Sequence, residues 1–543
     1  MTLAEQLRTL LNGEVYDDAA ARISASRDAS IFEIKPQLVI APRDTGDIQR
    51  LVGIILSKFG DLSITPRAGA TDMTGGPLTG SVVLDMVKHF NQTISISNDG
   101  HAVVQPGVFY RDFEKETLKK GWLLPSYPAS REICTVGGMV ANNAGGEKSL
   151  TYGKTIEYVE SLIVILADGN RYELKALSRP ELDEKIRQND FEGDLYRRLF
   201  KLFSEKQKEI SESRPRVSKN SAGYQIWDVW DGKTFNLAKL FTGSQGTLGV
   251  ITEIKLRLIR PPHHRRLLAV FVDNVSDLPN VVKHILPYRP ESLEMYDDKT
   301  IKLALRFLPE FVKLSGAKNL FSLAIKFLPE FWMALTGGIP SLILLAEFAG
   351  DASPDVERRL LAANYDLSRM GIKTRIARSD ADRRKYWAIR HESFNLLRHK
   401  LRGLQTVPFI DDLIVLPEKL GEFLPKLQRL LEPYRLTYSV AGHAGEGNIH
   451  IIPLMKLNDP DTKRIINELA PKVYDLVVSF SGSITAEHND GLIRGSFLNK
   501  MYSPEIINVF KEIKNIFDPK NIFNPGKKVN VSWNYAMSHL RKS

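Results

Sequence analysis

The chain is 543 residues long, too long for one ordinary core, and two or more domains are expected; 43% hydrophobic and 25% charged residues exclude the fibrous and disordered classes. Its single cysteine, Cys134, excludes an internal disulfide framework and any iron–sulfur cluster ligated by this chain alone, since such clusters need about four thiolates. A formal net charge of +10 favours anionic partners, but the basic residues are scattered and no nucleic-acid motif appears, so nucleic acid is not expected.

The opening MTLAEQLRTLLNGEVYDD lacks the regions of a secretory signal and reads as a short amphipathic helix, which predicts a cytoplasmic protein. From residue 37 to about 260, β-rich runs (QLVIAP, SVVLDM, AVVQPG, SLIVIL, GVITEIKLRLI) alternate with helical ones (DTGDIQRLVGIILSKFG, YRDFEKETLKKG). This is an α/β or α+β pattern with glycine-rich joins. RPPHHRR, 260–266, marks a boundary; strand LLAVFV and helix DLPNVVKHIL follow it, and the segment from 481 reads as short and mostly helical.

Residues 300–346 differ from their surroundings. FLPEF occurs at 307–311 and 327–331, after Arg306 and Lys326, and Ile301, Leu305, Leu308 and Val312 recur at helical spacing with Lys302, Arg306 and Lys313 between them. A hydrophobic helical insert is expected, packed on the protein's own core or a homodimer partner, or laid on an anionic membrane as a peripheral contact. A spanning helix is not expected, because FWMALTGGIPSLILLA is broken by Gly-Gly and Pro340 and falls short of the ~20 residues needed.

Three glycine-rich segments lie in the first half. PRAGATDMTGG, Pro66 to Gly76, can converge backbone N–H groups on an anion, with Thr71 and Thr74 as added donors. It has neither the Walker nor the GxGxxG spacing, and alone it reads as a turn. TVGGMVANNAGGEKSLTYG, Thr135 to Gly153, has little hydrophobic periodicity and is expected as an irregular ribbon close to a ligand. GSQGTLGVITE, from Gly243, places glycines ahead of a strand.

Together these segments resemble the FAD-binding domain of the vanillyl-alcohol oxidase and p-cresol methylhydroxylase superfamily, particularly its FAD-linked D-2-hydroxy-acid dehydrogenases. SRDAS (26–30), VVQPGV (103–108) and KNSAGY (219–224) fit as well. The resemblance implies an α+β fold: a two-subdomain FAD-binding domain (36–262) after an N-terminal helical segment (1–35), an antiparallel α+β substrate and metal domain (263–480), and a C-terminal segment (481–543) packing back on the FAD domain through FDPKNIFNPGKK. The FAD contacts it implies are Pro66, Arg67, Ala68, Gly69, Ala70, Thr71, Thr74, Gly75 and Gly76, then Pro128 and Ser130. From the second segment come Thr135, Gly137, Gly138, Asn142, Asn143, Ala144, Gly145, Gly146, Tyr152 and Gly153, and from the third Gln245, Gly246, Gly249, Val250 and Ile251. Ala70 and Thr71 stand where covalent members carry a histidine, which implies non-covalent FAD. Gln245 replaces the family's glutamate and removes any role that needs its charge.

In the second half, GHAGEGNIH (442–450) reads as a glycine turn between strands, with His443 ending one and His450 inside the next. Two imidazoles are half a metal site, and a catalytic ion commonly adds a carboxylate; alone, the stretch reads as a solvent-exposed turn. Glu487 and His488 in SGSITAEHNDG would by themselves be a surface pair. The resemblance to D-lactate, D-2-hydroxyglutarate and glycolate dehydrogenases implies more. His443, His450 and Glu487 would bind a divalent metal (zinc, manganese or iron), Asn448 and Arg390 would contact a 2-hydroxy acid, and His488 would be the acid/base. Phe394 replaces a threonine of the 2-hydroxyglutarate enzymes, and FIDDLIVLP (409–417) offers acids rather than a second cation, which favours a monocarboxylate such as D-lactate. His89, His263, His264, His284 and His399 are expected at the surface.

The expected activity is FAD-dependent, metal-assisted oxidation of a D-2-hydroxy acid to the 2-oxo acid. Electrons would pass to a quinone or an electron-transfer protein, quinone being favoured if the insert lies on the inner face of a membrane. A lactone oxidase, an alkyl-glycerone-phosphate synthase-like enzyme and a non-catalytic FAD-binding subunit are the alternatives.

Overall fold

The computed structural model describes residues 2–300, 302, 339–400 and 403–542, those of 391–400 by their backbone alone. Three sheets organise the chain. In the first, Leu38–Ala41, Val82–Asp85 and Ile64–Arg67 run parallel, with Glu14–Tyr16 antiparallel at one edge. The helix Thr45–Lys58 lays Ile48, Leu51, Val52 and Ile55 on this sheet. Asp44 caps it by accepting the Asp47 N–H, and the buried Asp47 in turn accepts the N–H groups of Asn12, Gly13 and Arg43 at 2.8, 2.7 and 2.8 Å.

The second sheet is antiparallel, in the order Thr93–Ile96, His101–Val104, Val250–Arg257, Val159–Ile165, Arg171–Ser178, Thr234–Asn236. The third is also antiparallel, in the order Lys373–Ile376, His264–Val272, Leu342–Gly350, Ser292–Asp297, Val440–His443, Asn448–Ile451, Leu413–Ile414. Helices Leu278–Ile285, Ser353–Arg369, Leu420–Leu431 and Pro460–Ser479 cover one face of it. Tyr386, Trp387 and Ile389 of Asp380–Lys400 pack on the other.

Three local expectations change. SLILLA, read as the end of the helical insert, belongs instead to the strand Leu342–Gly350. Leu342, Leu344 and Ala346 face one helical layer and Ile343 and Leu345 the other, so a strand buried on both sides shows an unbroken apolar run that periodicity cannot tell from a buried helix. The FLPEF repeats, and with them the insert's membrane or dimer contact, lie outside the described residues. Second, TVGGMVANNAGG is not an irregular ribbon throughout, for Val136–Asn142 is helical. The Thr135 hydroxyl caps that helix by accepting the Gly138 N–H, and Asn143 ends it at φ 50°. Gly137 is required there, since a Cβ would lie 2.3 Å from Pro106 Cβ. Third, the 260–266 linker is only partly loop, because His264 starts a nine-residue strand.

From residue 481 the chain returns across everything before it. The helix Pro504–Phe517 buries Ile506, Val509, Phe510 and Ile513 in the core of the second sheet, beside the helix Phe191–Glu205, Ile522 and Phe523 join the core of the first, and Ala536 and Met537 that of the third. Among the described residues no helix is long and apolar enough to cross a membrane.

Candidate active site

A cleft opens where the first and second sheets meet. Pro66, Arg67, Ala68, Gly69, Ala70, Thr71, Gly76, Thr135, Gly137, Gly138, Asn142, Gln245, Gly246, Gly249 and Ile251 line it, together with Asp72, Pro77, Met86, Pro106 and Ala141. Asp72 explains the loop's shape. Its carboxylate accepts the Thr74 hydroxyl (2.7 Å), the Gly76 N–H (2.6 Å) and the Asn142 amide (3.0 Å), and Ala70 takes φ 53°. Gln245 Nε2 donates to Thr74 Oγ1 at 3.2 Å while its Oε1 accepts the Gly491 N–H at 2.9 Å. The position therefore acts as a donor on one side, which a carboxylate could not do.

The remaining expected FAD contacts stand behind this lining. Thr74 and Asn143 are buried partners of the loops. Gly75 packs on Phe32 and Leu492, and Gly146 on Tyr127 and Pro128. Ser130 forms the turn before Cys134, Ala144 accepts the Thr155 N–H, Tyr152 donates to Glu291 at 3.1 Å, Gly153 turns at φ 70°, and Val250 faces the first sheet's core. The cleft fits FAD on its own terms. Arg67 Nη1 is buried without a hydrogen-bond partner among the described residues, a donor suited to a phosphate, and Pro77, Met86, Pro106 and Ile251 offer apolar walls.

The second cluster lies at the third sheet. The hairpin Val440–His443 and Asn448–Ile451 brings His443 Nε2 and His450 Nε2 to 3.3 Å of one another, with Glu487 Oε1 3.5 Å from His443 Nε2. Both rings are held from behind, His443 Nδ1 by Glu294 Oε1 at 2.5 Å and His450 Nδ1 by Asp411 Oδ1 at 3.2 Å. Two ligand atoms each about 2.1 Å from one tetrahedral ion stand roughly 3.4 Å apart, which these separations match. With both Nε2 atoms and a Glu487 oxygen within 4.8 Å of one another, the donor set fits a divalent ion.

His488 stacks on His450 at 5.2 Å between ring centroids and places Nδ1 3.0 Å from Asp411 Oδ2. Burial alone would lower its pKa, but Asp412 and Asp411 outweigh that and push it up to about 9. For His443 the same contest, settled by Glu294, also ends at about 9. Burial would raise Asp411, and the two imidazoles instead hold it well below the carboxylate range. Glu487 lies below that range too, Lys219 being its chief partner at 2.5 Å; the same buried ammonium stands 2.6 Å from Glu446. Asn448 donates to Asp412 Oδ1 (3.2 Å) and the Leu413 carbonyl (3.1 Å), and its Oδ1 is buried without a partner among the described residues. Arg390 meets Glu294 Oε2 through Nε at 3.2 Å and Nη2 at 3.1 Å.

The two clusters adjoin. A Cβ built on Gly145 would lie 3.1 Å from Glu487 Oε1, and Asn489 Nδ2 donates to the Asn142 and Gly243 carbonyls. Sequence reasoning missed Glu294, Asp411, Asp412, Lys219 and Glu446. The two aspartates count in the sequence only as the absence of a cation, since acids in the turn before a strand give no spacing signal; Glu294 is found only through the strand register that sets it opposite His443. The side chain of Phe394 lies outside the described ones.

Residues 36–175 match the FAD binding domain family, and residues 261–528 match the family described as FAD linked oxidases, C-terminal domain. The D-2-hydroxyglutarate dehydrogenase of Escherichia coli K12 is 26% identical over 533 residues, covering 95% of this chain. The chain spans only about half of that relative (50%). The glycolate oxidase subunit GlcD of Bacillus subtilis 168 is 26% identical, covering 96% of both chains. A solved structure of p-cresol methylhydroxylase with substrate bound superposes with a TM-score of 0.68 at 16% identity, covering 97% of this chain and 96% of the other, and so has the same fold. With an FAD-binding half followed by this C-terminal half, the chain belongs to the FAD linked oxidases.

Proposed function

We propose that the chain oxidises a D-2-hydroxy acid with a single carboxylate, of the D-lactate type, to its 2-oxo acid, using non-covalent FAD and a divalent metal ion. The observation that carries this reading is the pair of facing Nε2 atoms, His443 and His450, with Glu487 beside them and against the flavin-binding loop. In it, 36–262 form the FAD-binding unit, 263–480 the substrate unit, and 481–543 complete the site.

When bound, FAD supplies the two-electron acceptor for the hydride of the hydroxyl-bearing carbon, and the ion, held by His443, His450 and Glu487, supplies charge beside the hydroxyl and carboxylate oxygens. The chain's own residues do the rest. Arg390 pairs with the substrate carboxylate; its guanidinium is pre-oriented by Glu294, so little rotamer freedom is lost on binding. Asn448, whose buried Oδ1 has no partner among the described residues, contacts the substrate beside the hydroxyl group. His488 in its neutral form takes the hydroxyl proton at Nε2, Nδ1 facing Asp411, and because the two aspartates push its pKa up to about 9 this form grows in as pH rises toward that value. Among the described side chains Arg390 is paired with Glu294, and Lys219, the buried cation of the cluster, is held between Glu446 and Glu487; neither is free for a distal carboxylate, which favours a short monocarboxylate. Electrons then leave to a quinone or an electron-transfer protein.

The test is anaerobic titration of the flavin-loaded protein with D- and L-lactate, glycolate and D-2-hydroxyglutarate, following the visible flavin band. Bleaching by a D-monocarboxylate, abolished by chelator and restored by metal, is the expected result. A yellow protein that none of these acids bleaches would sink the reading.

A further inference from the structure

Glu294 is buried, 1% exposed, on the strand Ser292–Asp297. The antiparallel register sets it directly opposite His443 on Val440–His443, so the pair is a cross-strand neighbour fixed by the sheet itself. Its two carboxylate oxygens have different partners. Oε1 stands 2.5 Å from His443 Nδ1, and Oε2 stands 3.2 and 3.1 Å from Nε and Nη2 of Arg390.

We propose that Glu294 is a positioning residue that couples the metal-binding imidazole to the carboxylate-binding guanidinium. The inference rests on the functional reading above. By accepting from Nδ1, Oε1 selects the His443 tautomer whose Nε2 lone pair points toward His450 and Glu487. Through Oε2 the same group fixes the plane of Arg390. One rigid carboxylate thereby sets the distance between the two points that grip a 2-hydroxy acid, its chelating oxygens and its anionic end.

Glutamine cannot do both. If its amide nitrogen faces Arg390, donor meets donor and the guanidinium loses its support; if it faces His443, the favoured tautomer carries its proton on Nε2 and cannot ligate. Aspartate keeps the charge but is one methylene short of spanning the two partners.

The experiment measures zinc affinity of the flavin-loaded full chain at buffered free zinc for wild type, Glu294→Gln and Glu294→Asp. FAD content serves as the folding control, and KM for D-lactate is measured at saturating zinc. The expected result is zinc binding weakened about 10- to 100-fold and a raised KM, with FAD content unchanged. Glu294→Asp, which keeps the buried charge, carries the test if the glutamine variant does not fold. Variants within twofold of wild type in zinc affinity and KM would overturn the inference and leave the functional reading standing. Weaker zinc binding with unchanged KM would overturn the coupling. A wild type that takes up none of zinc, manganese or ferrous iron would overturn both.

Discussion

Asp412 Oδ2 accepts the backbone N–H groups of both Glu487 and His488, at 2.9 and 2.7 Å, and the Thr485 hydroxyl at 2.7 Å. A single buried oxygen thus holds in place the peptide that presents the proposed metal carboxylate and the proposed base. Asp412→Asn can keep these three contacts only by setting its amide nitrogen against Asn448 Nδ2, which donates to Asp412 Oδ1, so one donor meets another at a cost of about 1–3 kcal/mol for a buried group left unpaired. The expected outcome is a lower melting temperature and at least a tenfold loss of turnover with FAD content unchanged, read by thermal unfolding and flavin-reduction kinetics.

His488→Gln keeps the volume and removes the base. Flavin reduction should slow by roughly 10²–10⁴-fold while FAD and metal contents stay at wild-type levels. Single-turnover bleaching in a stopped-flow instrument, with metal analysis of the same sample, checks this; unchanged rates would remove His488 from the chemistry.

Gln245→Glu restores the residue common in related loops, yet it should weaken this protein. Gln245 Nε2 donates to Thr74 Oγ1, whose own proton goes to Asp72. A carboxylate there would face a hydroxyl already committed and a second buried acid nearby. FAD should bind about tenfold more weakly, seen as faster flavin release on dilution.

Asp47 makes stability depend on pH. Burial would raise its pKa, but the N–H groups of Asn12 and Arg43, the Arg50 guanidinium and the Gly13 N–H hold it below its usual 3.8. A depressed folded-state pKa contributes stability that is complete above the unfolded value and is lost as pH falls through the folded one. Asp47→Asn should therefore cost roughly 2–3 kcal/mol at neutral pH, given three backbone donors left without an anion. The gap between mutant and wild type should close below about pH 4, which denaturant unfolding at a series of pH values would show.

How far the sequence could be read differs by element. The glycine loops and the hairpin around GHAGEGNIH were legible because their chemistry is local: positive φ, a cap, and two histidines seven residues apart on neighbouring strands. The acids behind the imidazoles were not. Asp411 and Glu294 meet His450 and His443 across 39 and 149 residues of chain, and only strand register brings them together. The apolar run at Leu342–Gly350 misled for the opposite reason, since burial on both faces erases the alternation that marks a strand.

The returning segment after residue 481 also completes the loops that line the cleft. Asn524 donates to the carbonyls of Gly76 and Gln245 at 2.9 and 2.7 Å, and Phe523 lies beside Ile64 at the edge of the first sheet. The FAD loops emerge early from the ribosome, but their last wedge is synthesised more than 440 residues later than Gly76, as the separation of the Asn524–Gly76 contact (448) records. Loop closure over such spans is slow. A chain that has not yet made residues 487–524 therefore lacks both the Asn524 contacts that tie the FAD-binding loops together and the Glu487 carboxylate beside His443.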